Sequence, residues 1–98
     1  MATKLATITT ANTDTTIHTV SANRVCKVNG ILVTNRNTSE ATVEIYDGPS
    51  ANNVKKVVLI VGPRESFLYN EVKPEFTNQV VAKSDVDSVD IVIDYEER

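Results

Sequence analysis

The chain has 98 residues, with 10 basic and 13 acidic side chains for a formal charge of −3. That length holds one domain with a modest core, and the acidic balance argues against nucleic acid, which would demand a basic stripe to displace counterions. Fifteen Val, seven Ile and twelve Thr, set against three Tyr, two Phe and no Trp, favour strands, because branching at Cβ costs rotamer freedom in a helix and packs well on a pleated surface.

Residues 1–16 hold seven Thr and little that is large and apolar except Leu5 and Ile8. So polar a segment gains little from burial against its ordering entropy. It predicts an edge strand, an arm that orders only against a partner, or a frayed terminus, and we set residues 1–14 apart from a domain spanning 15–98. The start, MATKLATITT, has no apolar stretch of the kind a secretory leader carries. No apolar run approaches the roughly 20 residues of a membrane span. The expectation is a soluble protein of a cytosol-like compartment.

Regular strands follow. TTIHTV (15–20) is closed by Ser21-Ala22-Asn23, and RVCKVNGILVTN (24–35) comes next. ATVEIYD (41–47) alternates, with Ala41, Val43 and Ile45 on one face and Thr42, Glu44 and Tyr46 on the other. Residues 48–53, GPSANN, read as a loop. VKKVVLIV (54–61) ends at Gly62-Pro63, and ESFLYNEV (65–72) and NQVVAKS (78–84) lead to SVDIVIDYEE (88–97). The last strand sets Val89, Ile91, Ile93 and Tyr95 against Asp90, Val92, Asp94 and Glu96. Seven to eight short strands without a helical period predict a single all-β antiparallel sandwich, jelly-roll or immunoglobulin-like. With three Gly and three Pro in the chain, the turns must lean on Asn, Asp and Ser.

One stretch admits two readings. Asn29-Gly30 is a strong signal for a two-residue hairpin turn, whereas Asn35-Arg36-Asn37-Thr38-Ser39 is a longer polar loop. If the loop is the turn, one strand runs from Arg24 to Asn35 and pairs with 41–47, leaving Gly30 inside a strand at a cost, though Gly there often marks a bulge; local rules alone favour the hairpin.

Residues 15–95 resemble a pattern in small structural proteins of bacteriophages and related viruses. The likeness is carried by Thr19-Val20, the turn Ser21-Ala22-Asn23-Arg24 (Ser21 standing where Pro is usual), Ile31-Leu32-Val33, Asn35 and Ala41-Thr42-Val43. VVAKSDVDSVDIVIDYEE is similar to that pattern's closing hairpin. On this resemblance we place the turn at 35–39. The resemblance implies a non-enzymatic virion subunit assembled in the host cytoplasm. A capsid decoration or cement protein is the foremost form, binding the major capsid protein or other virion proteins, with a tail, fibre or baseplate component as the alternative. A homo-oligomer is expected, a trimer above all, since trimers suit three-fold positions of an icosahedral shell. A carbohydrate- or ligand-binding sandwich is a further alternative, disfavoured by the scarcity of aromatic residues for stacking sugars.

The candidate chemical groups all have plainer uses. His18 has no nearby nucleophile or second ligand and reads as a partly exposed strand residue. Cys26 is the sole cysteine and reads as a small core hydrophobe. Asp85, Asp87, Asp90, Asp94, Glu96 and Glu97 are spread along a strand and its turn, whereas calcium needs about six to eight converging oxygens. They read as a solvated face. Lys55-Lys56 reads as a solvated edge or loop, and Asn37-Thr38-Ser39, a formal glycosylation triplet, as a turn. No cofactor, metal site or catalytic residue is expected. The subunit contacts are expected at Leu5 and Ile8 of the first segment and at the aromatic group Phe67, Tyr69 and Phe76.

Overall fold

A computed structural model describes residues 2–48 and 54–98; most of the loop expected at 48–53 therefore lies outside the described residues. The described residues form nine strands and no helix: β1 (Ala2–Ile8), β2 (Thr15–Thr19), β3 (Cys26–Asn35), β4 (Ala41–Gly48), β5 (Val54–Val61), β6 (Ser66–Tyr69), β7 (Glu75–Phe76), β8 (Gln79–Ser84) and β9 (Val89–Glu97). Nine exceeds the seven to eight expected. The two-residue β7 is too short to show a period, and β1 is too polar to show a buried face.

The strands make two antiparallel sheets. One has the order β1-β9-β3-β6, with β7 also on β3; the other runs β2-β8-β4-β5. The core lies between them and is built from the apolar parity of each strand: Ala41, Val43 and Ile45 of β4, and Val89, Ile91 and Ile93 of β9, are fully buried. Each such side chain contributes about 1.5–3 kcal/mol of burial free energy. β1 is the edge strand of its sheet, in register with β9 from Ala2↔Tyr95 to Ile8↔Val89.

Gly30 lies inside β3, and the turn follows Asn35. The inward residues of β3 are Cys26 and Val28, then Ile31, Val33 and Asn35, so the buried parity switches between 28 and 31. The register with β9 slips at that point, Val28 facing Tyr95 and Gly30 facing Asp94. Asn29 is the extra residue of a bulge, which keeps both halves of the strand aimed at the core.

Two expected pairings do not form. β3 and β4 belong to different sheets, as do β8 and β9, so the turn at 35–39 and the closing segment are crossovers between layers and not hairpins. The cause is visible at Asn35, which is fully buried. Its Nδ2 donates to the carbonyls of Ser39 at 2.8 Å, Gly62 at 3.1 Å and Val61 at 3.2 Å, and its Oδ1 accepts from the Asn37 amide at 2.9 Å. Those bonds fold the chain over the sandwich margin and tie it to the end of β5. Other corners use the left-handed backbone of Asn12, Asn23 and Ser88 at φ 58°, 62° and 62°, in keeping with turns built from Asn, Asp and Ser, whereas the corner after Pro63 places Arg64 there at φ 56°.

Asp47 secures the opposite end. It is 6% exposed and accepts from the backbone amides of Thr77, Asn78 and Gln79 at 3.0, 3.0 and 3.1 Å and from the Thr77 hydroxyl at 3.2 Å. Burial pushes its carboxyl up, but these donors outweigh burial and hold it below its ordinary value.

Two outcomes follow. Asn35→Ala strips partners from buried carbonyls and is expected to cost roughly 3 kcal/mol in urea unfolding, with an unchanged circular dichroism spectrum in water. A carboxyl whose folded pKa is depressed stabilises fully above its unfolded pKa and loses that contribution as pH falls through the folded value. Asp47→Asn should therefore destabilise by about 2–3 kcal/mol at neutral pH and flatten the loss of stability seen below about pH 4, read from denaturation midpoints across pH.

Candidate functional site

The outer face of the β1-β9-β3-β6 sheet carries an apolar row that runs across the strands. Leu5 of β1 faces Val92 of β9, Val92 faces Leu32 of β3, and Leu32 faces Leu68 of β6. Leu5, Leu32 and Leu68 are 66%, 38% and 59% exposed. Three strand spacings make the row roughly 15 Å long.

The neighbouring row on one side is polar and internally bonded. Asp90 accepts from the Thr7 hydroxyl at 2.8 Å and from Arg36 Nε at 2.8 Å, and Thr34 meets Ser66, hydroxyl to hydroxyl, at 3.0 Å. The bond from Arg36 holds the Asp90 carboxyl below its ordinary range, with Thr7 assisting against the opposing effect of burial. On the other side Thr3 and Gly30 face Asp94. Gly30 has no positive φ, and nothing stands within 4 Å of where its Cβ would be. The missing side chain opens a shallow depression of 240 Å³ between Leu32, Leu68, Val92, Asp94 and Asn70. The surface is thus a polar-rimmed apolar strip with a notch, which suits a protein contact better than a small ligand.

The residues expected at subunit contacts divide. Leu5 is the most exposed member of the row. Ile8 and Phe76 are fully buried and cannot touch a partner: Ile8 closes the core where β1 ends, and Phe76 sits opposite Cys26. Phe67 and Tyr69 face Val33 and Ile31 across the β6–β3 ladder. Phe67 is 44% exposed at the sandwich margin, while Tyr69 packs against the core. The three aromatics do not cluster, because β6 and β7 pair with opposite ends of β3. Sequence reasoning missed Leu32, Leu68 and Val92; their signal was an apolar residue at the outward parity of each strand, legible only once the register aligns them.

The candidate chemical groups sit in structural surroundings, with His18 Nδ1 buried and without a hydrogen-bond partner among the described residues. His18, its side chain 11% exposed, donates from Nε2 to the Glu97 carboxylate at 2.9 Å, and its ring centroid lies 4.5 Å from that of Tyr95. The bond from His18, with help from Ser21, holds Glu97 below the usual carboxylate range. Burial pushes the Cys26 thiol up to about 11, so at neutral pH it is a protonated core side chain. Tyr46, expected on the polar face, is buried and donates its hydroxyl to Asp14; burial first, then that bond, raises its pKa. Lys55 and Lys56 are exposed at the start of an edge strand, as expected. Among the described residues no group of three or more His, Cys, Asp or Glu side chains could hold a metal ion.

No family model matches the chain, and no curated protein matches it. Among solved structures, a crystal structure of PirA is similar with a TM-score of 0.61 at 14% identity, over 96% of this chain and 93% of that one. What is shared is the fold. A chain from the Bacillus endospore appendages, described as a novel family of disulfide-linked pili, aligns over 94% of this chain and 84% of its own at 15% identity, with a TM-score of 0.43.

Because Gly30 has room and an ordinary φ, Gly30→Ala is expected to raise stability by about 0.5–1 kcal/mol, through lost freedom of the unfolded chain. Thermal unfolding of the two proteins measures it.

Proposed function

We propose that this protein is a non-enzymatic structural subunit of a virion, foremost a decoration or cement subunit that lies on the shell surface. The observation that carries the contact is the in-register row Leu5, Val92, Leu32 and Leu68 on a sheet face that no other strand among the described residues covers. The virion assignment comes from the resemblance of residues 15–95 to small viral structural proteins. The strand orders β1-β9-β3-β6 and β2-β8-β4-β5 support the jelly-roll alternative over the immunoglobulin-like one. All links except β4–β5 and β6–β7 pass between sheets, as in a doubled Greek key. Jelly rolls also serve as lectins, so topology is not itself the argument.

The apolar row supports docking onto a partner surface that presents apolar side chains within a polar ring. Many weak contacts repeated on a symmetric lattice hold by multivalency, so a modest strip suffices for each subunit. His18 and Cys26, engaged in core and margin packing, support a role without chemistry.

Two measurements test the proposal. Quantitative mass spectrometry of purified particles is expected to count hundreds of copies beside the major shell protein; a few to a few dozen would favour the tail, fibre or baseplate form, and absence would end the virion reading. The double variant Leu32→Asp/Leu68→Asp should keep its circular dichroism spectrum and lose shell binding by at least about tenfold in a sedimentation assay. Unchanged binding would clear the row of any role in attachment.

A further inference from the structure

We infer that the free edge of β5 is a self-complementary surface on which a second copy of this chain adds its own β5 antiparallel, joining the two β2-β8-β4-β5 sheets into one across a two-fold axis at Leu59. The inference does not depend on the virion reading.

β5 is the outermost strand of its sheet, and its second half, Val57-Val58-Leu59-Ile60-Val61, is wholly apolar. Val57, Leu59 and Val61 point into the core, whereas Val58 and Ile60 point outward and are 50% and 63% exposed. An apolar edge on which no described strand pairs is a template for strand pairing, which monomeric proteins ordinarily blunt with charge, proline or a bulge. Here the charges, Lys55 and Lys56, stand only at the entrance to the strand, where β5 has its bulge opposite Ile45 and Tyr46. On the same outer face the next strand inward presents Thr42 and Glu44, in register with Ile60 and Val58. The apolar exposure is therefore confined to the edge strand, which suits an added strand and not a protein laid over the face.

The backbone groups available follow from the ladder. Thr42 donates its amide to Asp85 Oδ1 at 2.8 Å and accepts at its carbonyl from the Asp85 amide at 3.3 Å, so both of its groups are turned toward β8. Its partner Ile60 consequently turns its own amide and carbonyl away from β4, as does Val58 two residues earlier. A two-fold at Leu59 sets Val58 opposite the partner's Ile60 and Ile60 opposite the partner's Val58. These are the residues whose groups are free, and they supply two reciprocal pairs of backbone hydrogen bonds. Val57 then meets the partner's Val61 on the core face, and Leu59 meets its own copy. Every pairing keeps apolar side chains together on the correct face, as the period of two requires.

Charge chooses this register over its neighbours. With the axis at Leu59, Lys56 falls opposite Gly62 of the second copy, and the Glu65 carboxylate occupies the space over Gly62 where a Cβ would stand. Two Lys56–Glu65 pairs thus flank the apolar centre. An axis at Val58 would instead set Lys56 against Ile60, and an axis at Ile60 would set Val57 against Pro63.

Sedimentation equilibrium of the full chain, from micromolar to about 1 mM, tests the inference. The expected result is a monomer–dimer equilibrium that Val58→Lys/Ile60→Lys abolishes without changing the circular dichroism spectrum, both side chains being exposed. Lys56→Glu should weaken the dimer by about tenfold, and Lys56→Glu/Glu65→Lys should recover most of that loss. A chain that stays monomeric throughout would overturn the inference, as would a dimer indifferent to Val58→Lys/Ile60→Lys. Loss with Lys56→Glu but no recovery in the double charge exchange would overturn the Leu59 axis.

Discussion

Everything in this fold depends on keeping one parity of each strand between the two sheets. The period of a strand is two, so a slip of one residue would carry every buried Val and Ile to the solvent side. The chain meets that constraint even where its own pattern breaks. In β3 the buried set passes from Cys26 and Val28 to Ile31, Val33 and Asn35, and Asn29 is spent as a bulge to absorb the mismatch. In β2 the register shifts between Thr16 and His18, and in the β4–β5 pair it shifts beside Ile45 and Tyr46. Each irregularity leaves the core side chains in place.

A core between two sheets obliges the chain to travel repeatedly from one layer to the other, and every crossing takes polar backbone past an apolar margin. Buried backbone groups must find partners. Asn35 at one end and Asp47 at the other provide them with four bonds each: all of Asp47's reach residues 77–79, while Asn35 bonds Asn37 and Ser39 of its own turn as well as Val61 and Gly62. These two side chains do for the crossovers what tight turns do for hairpins. His18 with Glu97 performs a smaller version of the task where β2 meets the end of β9.

Once both inner faces are filled, two groups of exposed apolar side chains remain on opposite sheets, the Leu5, Val92, Leu32, Leu68 row and the outward half of β5, with Val54, Phe67 and Val72 exposed outside them. They differ in kind. The row spans a sheet face and offers side chains only, while β5 offers unpaired backbone as well. Because they occupy different sheets, the attachment proposed for the row and the pairing inferred for β5 would not compete for the same atoms. A two-fold edge contact also differs from the three-fold association first expected from the viral resemblance.

Much of the architecture was legible in the residues. Branched and alternating segments located seven of the strands, and the inward parity of β9, and of β4 as far as Ile45, read correctly; local rules favoured a hairpin at Asn29-Gly30, and it was the viral resemblance that placed the turn after Asn35. Cys26 as core and Lys55-Lys56 as an exposed edge needed only local chemistry. What stayed hidden was every property that belongs to two segments at once. Whether β3 pairs with β4, or β8 with β9, depends on which layer each enters, and hydrophobic alternation is identical in both cases. Ile8 and Phe76 looked available for contact because a lone apolar residue in polar sequence carries no mark of burial; the ladders to β9 and β3 buried them. Leu5, Leu32, Leu68 and Val92 are scattered through the sequence and become one surface only through cross-strand register. Period and composition act over a few residues and so determined the strands and their faces, while partner choice is a long-range competition that only the assembled sheets decided.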